Sequence, residues 1–332
     1  MRARMAAASS TVLRIVDQAT VRVAGSPTPV PGAADPFAGL LPFELTTERA
    51  LRVPIDPNGP DEEYASLLLD FAGVCTFQRA VAPEVVERCR VAAVDLSEEL
   101  RDKVRARGID PDGPNDFSFV GVHQRDPGRM DVRNHPAMGT EPFADEALGE
   151  AAPWMPVIKR MLGSDCRLLW KGFVVTEPGT ADQAYHPDGP PVPREVWEAH
   201  EPEALKQRGA LPPHCLTVFV PLVSLVDGSP GATKFLPGSH HEVLNVAALE
   251  AEADEPGSTG GAGSPATLHV AEGDAIIFNN RVRHAGSANT SDSRRPLLYL
   301  VFGRKWYTED VHRQLLEDGG FAEPGGRVES LC

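Results

Sequence analysis

Aromatic side chains are scarce in this 332-residue chain, only 6% of it, so it has little with which to stack the bases of single-stranded nucleic acid. Positive charge is short too: 32 Lys and Arg stand against 47 Asp and Glu, a formal net charge of −15. Non-specific nucleic-acid affinity comes from basic groups displacing counterions, so this balance argues against a nucleic-acid partner. No apolar run approaches the roughly 20 residues of a membrane-spanning helix. Cysteines number five (Cys75, Cys89, Cys166, Cys215, Cys332), and no CxxC spacing joins them, which removes structural zinc and dithiol redox chemistry. They read as reduced thiols in a reducing compartment, the cytoplasm. A GxSxG elbow is missing, which excludes the usual serine hydrolase. Internal repeats are missing as well. What remains is an acidic chain with 42% hydrophobic residues, enough for a substantial core.

The amino terminus carries Arg2, Arg4, Arg14 and Arg22 among Ala and Ser, with Asp17 as its acid. Two readings stay open: an organelle transit peptide for mitochondrion or plastid, or a tail with a short strand over 20–23. Residues 24–60 are dense in Pro, Gly and Ala and are expected to wrap a surface, completing an extension over 1–60. From Asp61 a helix is expected, its first turn acidic. A short β-like run over 73–81 follows, then a long helix from about Ala82, with Pro83 in the first turn. Val85, Val86, Cys89, Ala92, Ala93, Leu96 and Leu100 recur there at helical spacing. Residues 108–140 read as a polar loop and 142–163 as a second helical zone. Beyond them, short apolar runs separated by turn signals predict strands near 166–179, 215–226, 231–238, 274–280 and 296–306. Two insertions interrupt these runs. Residues 190–211 read as a helical lid or an ordinary surface helix, and 250–266 as an acidic, Gly/Ser-rich loop. The pattern predicts one α+β, mainly β domain over 61–320, followed by a tail at 321–332.

The chemistry concentrates in two segments. In Tyr185-His186-Pro187-Asp188, extended backbone would put His186 and Asp188 on one side, where an imidazole and a carboxylate can meet one ion. Pro187 brings no ladder donor, so this stretch must lie at an edge or a strand end. The second segment runs from a Gly-Asp turn through an apolar strand to His284, then through a polar loop to Arg295. Two histidines and one carboxylate on one face bind non-haem Fe(II) and leave positions open. The planar guanidinium of Arg295 suits a two-point grip on a carboxylate.

The ordered set HPD, KFLPGSH at 234–240, GDAIIFNNRVRH and the loop 289–295 resembles the phytanoyl-CoA dioxygenase family over roughly 60–306. That family consists of Fe(II)/2-oxoglutarate-dependent oxygenases built on a double-stranded β-helix, or jelly roll, with amino-terminal helices packed on it. The resemblance implies that His186, Asp188 and His284 bind iron and that Arg295 holds the distal carboxylate of 2-oxoglutarate. It places Thr217 in the cosubstrate pocket and Lys171 as a further candidate there, and it makes His240 structural. It also implies consumption of O2, release of succinate and CO2, a stimulatory role for ascorbate, and a small-molecule substrate. Related halogenases replace the carboxylate ligand with a small residue; Asp188 therefore points to hydroxylation or a similar oxidation. Phe117, Phe119 and Trp170 are candidates either for a pocket wall or for the core. The rival reading is a jelly-roll protein that binds metal or ligand without turnover.

Overall fold

Asp61 starts the first helix by accepting the backbone N–H of Tyr64 at 2.9 Å, as an N-cap side chain does. The structure, a computed structural model, describes residues 51–318 except 54, 57–58, 115, 203–210, 229 and 242–264. The expected transit peptide or strand at 20–23, most of the Pro-rich extension, the 250–264 part of the acidic loop and the 321–332 tail lie outside the described residues.

The helices are α1 (Glu62–Phe71), α2 (Pro83–Ala106), α3 (Met155–Leu162), α4 (Arg194–His200) and α5 (Glu309–Asp318). The strands are β1 (Arg52–Val53), β2 (Ile55–Asp56), β3 (Gly59–Pro60), β4 (Val74–Phe77), β5 (Phe117–Phe119), β6 (Val122–Asp126) and β7 (Arg129–Arg133). They continue with β8 (Arg167–Thr176), β9 (Cys215–Pro221), β10 (Thr233–Phe235), β11 (Ala266–Leu268), β12 (Ala275–Asn279), β13 (His284–Gly286) and β14 (Arg295–Gly303). A large sheet runs β1-β4-β12-β9-β14-β8-β7-β6-β5, antiparallel except for the β1–β4 edge. A smaller antiparallel sheet, β11-β10-β13, lies across it, with Phe235 of β10 meeting Phe278 of β12 at 5.2 Å between ring centroids. This is a jelly roll with helices on it, the fold class the sequence predicts.

Every residue of β14 is buried, which requires cover on both faces of the large sheet. Leu298, Leu300 and Phe302 join the main core, where α2 and α3 pack against β14. The alternate residues Tyr299 and Val301 belong to a second cluster with Trp197 and Tyr307. Because residues directly opposite in a ladder share a face, register assigns the inner face strand by strand. It carries Arg129, Asp131 and Arg133 of β7, Trp170, Gly172 and Thr176 of β8, Thr217 and Phe219 of β9, and Arg295 and Tyr299 of β14.

Helix α2 begins at Pro83 as expected, and Val85, Val86, Cys89, Ala93 and Leu100 are buried along it. Three expectations are corrected. Residues 108–140 contain a meander, β5–β6–β7, that widens the large sheet by three strands. Its charges misled the reading: in Arg129-Met130-Asp131-Val132-Arg133 the apolar Met130 and Val132 are buried outward, while the polar residues face the interior. The 142–163 zone holds only α3 and a single 3-10 turn at Glu146–Leu148, since Pro142, Gly149 and Pro153 interrupt it. Within the supposedly unstructured 24–60 stretch, Leu51 and Val53 are core residues, and β1 pairs in parallel with β4. Phe117 and Phe119 are core residues. The PGSH turn is a clasp: Gly238 N–H donates to Ala72 O at 2.9 Å, and His240 Nε2 meets Asp70 O at 3.1 Å, fixing the end of α1.

Candidate functional site

His186 and His284 face each other through an isolated antiparallel bridge, His186 N–H to His284 O at 3.0 Å and the reciprocal bond at 2.9 Å. Asp188 N–H donates to Asn280 O at 2.7 Å. Pro187 sits between those two bonded residues, at the alternate position whose missing N–H this ladder does not use. His284 Nε2 lies 3.6 Å from Asp188 Oδ1, and one ligand atom from each of the three residues falls within 4.8 Å of the others.

Each imidazole is oriented by its far nitrogen. His186 Nδ1–H donates to Ala184 O at 2.9 Å and His284 Nδ1–H to Val282 O at 3.0 Å, in both cases to the carbonyl two residues upstream. That arrangement leaves both Nε2 lone pairs facing the gap, as outer partners of metal-bound histidines do. His284 is buried among Phe219, Phe235 and Phe278, and this burial lowers its pKa against the opposing pull of Asp188. A neutral imidazole is the form that coordinates a metal. The donor set, two nitrogens and a carboxylate on one side, therefore fits Fe(II).

Arg295 lies 4% exposed at the start of β14 and donates from Nη2 to Thr176 Oγ1 at 3.0 Å. Its Nη1 donates to Gly231 O and to Ser287 O. Burial, and then the charge of Arg129, push it down to about 9, so it stays cationic at neutral pH. Gly286 stands two residues beyond His284, roughly 6–7 Å along extended chain. A Cβ on Gly286 would come within 3.3 Å of Arg295 Nη2. The guanidinium is thus a short step from His284, a separation comparable to the length of a five-carbon diacid.

Thr217 is on the inner face, buried, and donates from Oγ1 to Asn280 Oδ1 at 2.8 Å. It pairs with Val301, six residues along β14 from Arg295, or about 20 Å of strand. One small diacid does not span that length, so the threonine beside Arg295 is Thr176. Lys171 pairs with Leu300 and points outward, donating from Nζ to Phe143 O, so it does not line the interior.

Sequence reasoning missed a second polar group on this inner wall. Tyr299 donates its hydroxyl to Asp131 Oδ1 at 2.6 Å and accepts from Arg133 Nε at 3.3 Å, while Arg133 Nη2 donates to Asp131 Oδ2 at 3.1 Å. Burial and the Asp131 carboxylate raise the Tyr299 pKa, keeping the phenol protonated and donating. Gly172 makes room: a Cβ there would lie 2.6 Å from Tyr299 Oη. Arg133 lies over the Trp170 ring at 5.9 Å, and Trp170 meets His312 of α5 at 4.8 Å. The polar-apolar alternation of 129–133 was the signal that could have located this wall.

Residues 69–297 match the family model described as Phytanoyl-CoA dioxygenase (PhyH). Among solved structures, the non-heme alpha ketoglutarate dependent epimerase SnoN from nogalamycin biosynthesis shares 17% identity, with a TM-score of 0.50 over 83% of this chain and 96% of that one. The carbocyclase SnoK of the same biosynthesis is 20% identical, with a TM-score of 0.45 over 72% and 83%. HygX from Streptomyces hygroscopicus, with nickel and 2-oxoglutarate bound, is 15% identical, with a TM-score of 0.47 over 73% and 87%. The jelly roll and the family match together define a non-haem iron, 2-oxoglutarate-dependent oxygenase. The chain belongs to the phytanoyl-CoA dioxygenase family.

Proposed function

We propose that His186, Asp188 and His284 hold Fe(II), that Arg295 holds the distal carboxylate of 2-oxoglutarate, and that the enzyme hydroxylates or otherwise oxidises a small organic substrate. The observation that carries this reading is the convergence of three ligand atoms within 4.8 Å, with both histidine Nδ1 atoms already committed to backbone carbonyls. Held by these residues, Fe(II) with 2-oxoglutarate and O2 would supply the oxidising chemistry, with succinate and CO2 as the co-products. The protein supplies orientation and shelter. The backbone carbonyls of Ala184 and Val282 fix the imidazoles, Asn280 fixes the Asp188 backbone, and the three phenylalanines around His284 keep water from one side of the site. The Asp131–Tyr299–Arg133 group and Trp170 form the wall we assign to the substrate.

Helix α4 lies within the insertion at 190–211. Trp197 is fully buried against Trp306 at 5.0 Å between ring centroids, and Trp306 Nε1 donates to Glu201 at 2.8 Å. That anchoring makes α4 a fixed part of the wall rather than a moving lid; residues 203–210 of the insertion lie outside the described residues. Residues 61–320 are read as a single oxygenase domain. Among the described residues no helix is long and apolar enough to cross a membrane. Among the described residues, four free cysteines, three of them buried, fit the cytoplasm we propose.

The direct test is uncoupled turnover: purified protein with Fe(II), 2-oxoglutarate and ascorbate releases succinate slowly, and a metabolite screen then seeks the compound that accelerates it. Succinate formation that does not depend on added Fe(II) would defeat the assignment. Two substitutions separate the walls. Thr217→Val leaves Asn280 Oδ1 without its donor, at about 1–3 kcal/mol of stability. It is expected to weaken Mn(II) binding roughly 10-fold through the loosened Asp188 loop, as losses of outer partners do, with the KM for 2-oxoglutarate unchanged. Titration of Mn(II) in both proteins checks this. Tyr299→Phe removes a hydroxyl that touches neither ligand nor Arg295. Uncoupled succinate release should stay near the wild-type rate while substrate-stimulated turnover falls, and a parallel fall of both would place Tyr299 in the metal site instead.

A further inference from the structure

Arg129 stands beside Arg295 and hydrogen-bonds only a hydroxyl and backbone carbonyls, while Asp126 and Asp182 attract it from a distance. Arg129, Thr176 and Arg295 are register partners on the adjacent strands β7, β8 and β14, so the three side chains share the inner face. Both arginines are buried, 5% and 4% exposed. Arg129 Nη1 and Arg295 Nη2 both donate to Thr176 Oγ1, at 3.4 and 3.0 Å. Their ends also converge on Gly286, where a Cβ would lie 3.0 Å from Arg129 Nη1 and 3.3 Å from Arg295 Nη2.

Arg129 Nη2 is tied to the carbonyls of Ala181, Gly286 and Ser287, which holds the fork in place. The Nε of each arginine is buried without a partner. The nearest acids are engaged elsewhere: Asp126 accepts from Gln183, and Asp182 accepts from Lys234 Nζ at 3.0 Å and from Ala288 N–H at 2.8 Å. Two like charges buried side by side repel and have lost their hydration, a costly arrangement unless an anion joins them. Thr176 accepts from both guanidiniums, so its own hydroxyl proton is left to donate into the same space.

We infer that Arg129 is a second guanidinium for the distal carboxylate of 2-oxoglutarate, forming with Arg295 and Thr176 a three-donor cradle floored by Gly286. This rests on the assignment of Arg295 proposed above and extends it. A cradle with two cations selects for a dicarboxylate. It discriminates against a 2-oxo acid of the same chain length that ends in a methyl group, 2-oxopentanoate.

The test uses the full-length protein loaded with Mn(II), which binds cosubstrate without turnover. Affinity for 2-oxoglutarate and for 2-oxopentanoate is measured by isothermal titration, and thermal stability is followed with and without 2-oxoglutarate. Arg129→Gln is expected to weaken 2-oxoglutarate about 10-fold or more, the scale of a lost hydrogen bond to a charged group. Its 2-oxopentanoate affinity should hardly change, so that discrimination falls, and the rise in Tm on adding 2-oxoglutarate should shrink. Arg129→Lys keeps the charge without the fork and should fall between the two; it carries the test if Arg129→Gln does not fold. Wild-type 2-oxoglutarate affinity in both variants overturns the inference, as does an equal loss for both acids. Arg295→Gln separates this inference from the reading beneath it: if that variant binds 2-oxoglutarate like wild type, the Arg295 assignment itself fails.

Discussion

His186→Ala is expected to lower succinate formation from 2-oxoglutarate by more than about 100-fold, since even the loss of a ligand's outer partner costs 10- to 100-fold. Asp188→Ala should do the same. His186 is the cleaner probe because it is less buried than His284, whose ring fills space among Phe219, Phe235 and Phe278 and whose removal would also open the core. Unfolding must be told apart from lost coordination, so the measurement pairs turnover with Fe(II) binding under anaerobic conditions. The variant should keep the wild-type circular dichroism spectrum and melting cooperativity while losing the visible absorption that Fe(II) and 2-oxoglutarate develop together. If His186→Ala released succinate as fast as wild type, the metal assignment would be wrong.

That site was legible because its chemistry is local in sequence. His186 and Asp188 are two positions apart on extended chain, and Arg295 follows His284 by eleven, a spacing set by β13, a turn and the start of β14. Long-range pairing was not legible. Nothing in the residues near His284 says that its backbone bonds to His186 rather than to a neighbouring strand of the large sheet. The β5–β7 meander was lost for another reason. Charge on a short strand normally marks solvent, yet here Arg129, Asp131 and Arg133 face an interior that needs polar groups. Thr217 was named through the family resemblance, whereas Thr176 could not be singled out from the sequence: both sit on inner-facing strand positions, and only the register sets Thr176 opposite Arg295.

Arg295→Gln carries the second large effect. The side chain is 4% exposed and its Nη2 reaches Thr176 Oγ1, so the substitution preserves some hydrogen bonding to neutral partners while removing the charge. A hydrogen bond to a charged group is worth about 1.5–3 kcal/mol, and at about 1.4 kcal/mol per decade that predicts a KM for 2-oxoglutarate raised roughly 10- to 150-fold. The rate at saturating 2-oxoglutarate should fall far less, because the end of the cosubstrate we assign to Arg295 is remote from the bond that breaks. Arg295→Lys should recover only part of the affinity, since an ammonium offers a point charge where the guanidinium offers two parallel donors. Stability should move the other way. Burial and the neighbouring Arg129 already push Arg295 down to about 9, so the charged side chain is held at a cost when no carboxylate is bound. The Gln variant should therefore melt no lower than wild type without 2-oxoglutarate and gain less when it is added. A KM unchanged within error, with a lower Tm in its place, would make Arg295 a structural residue and leave the diacid without its anchor.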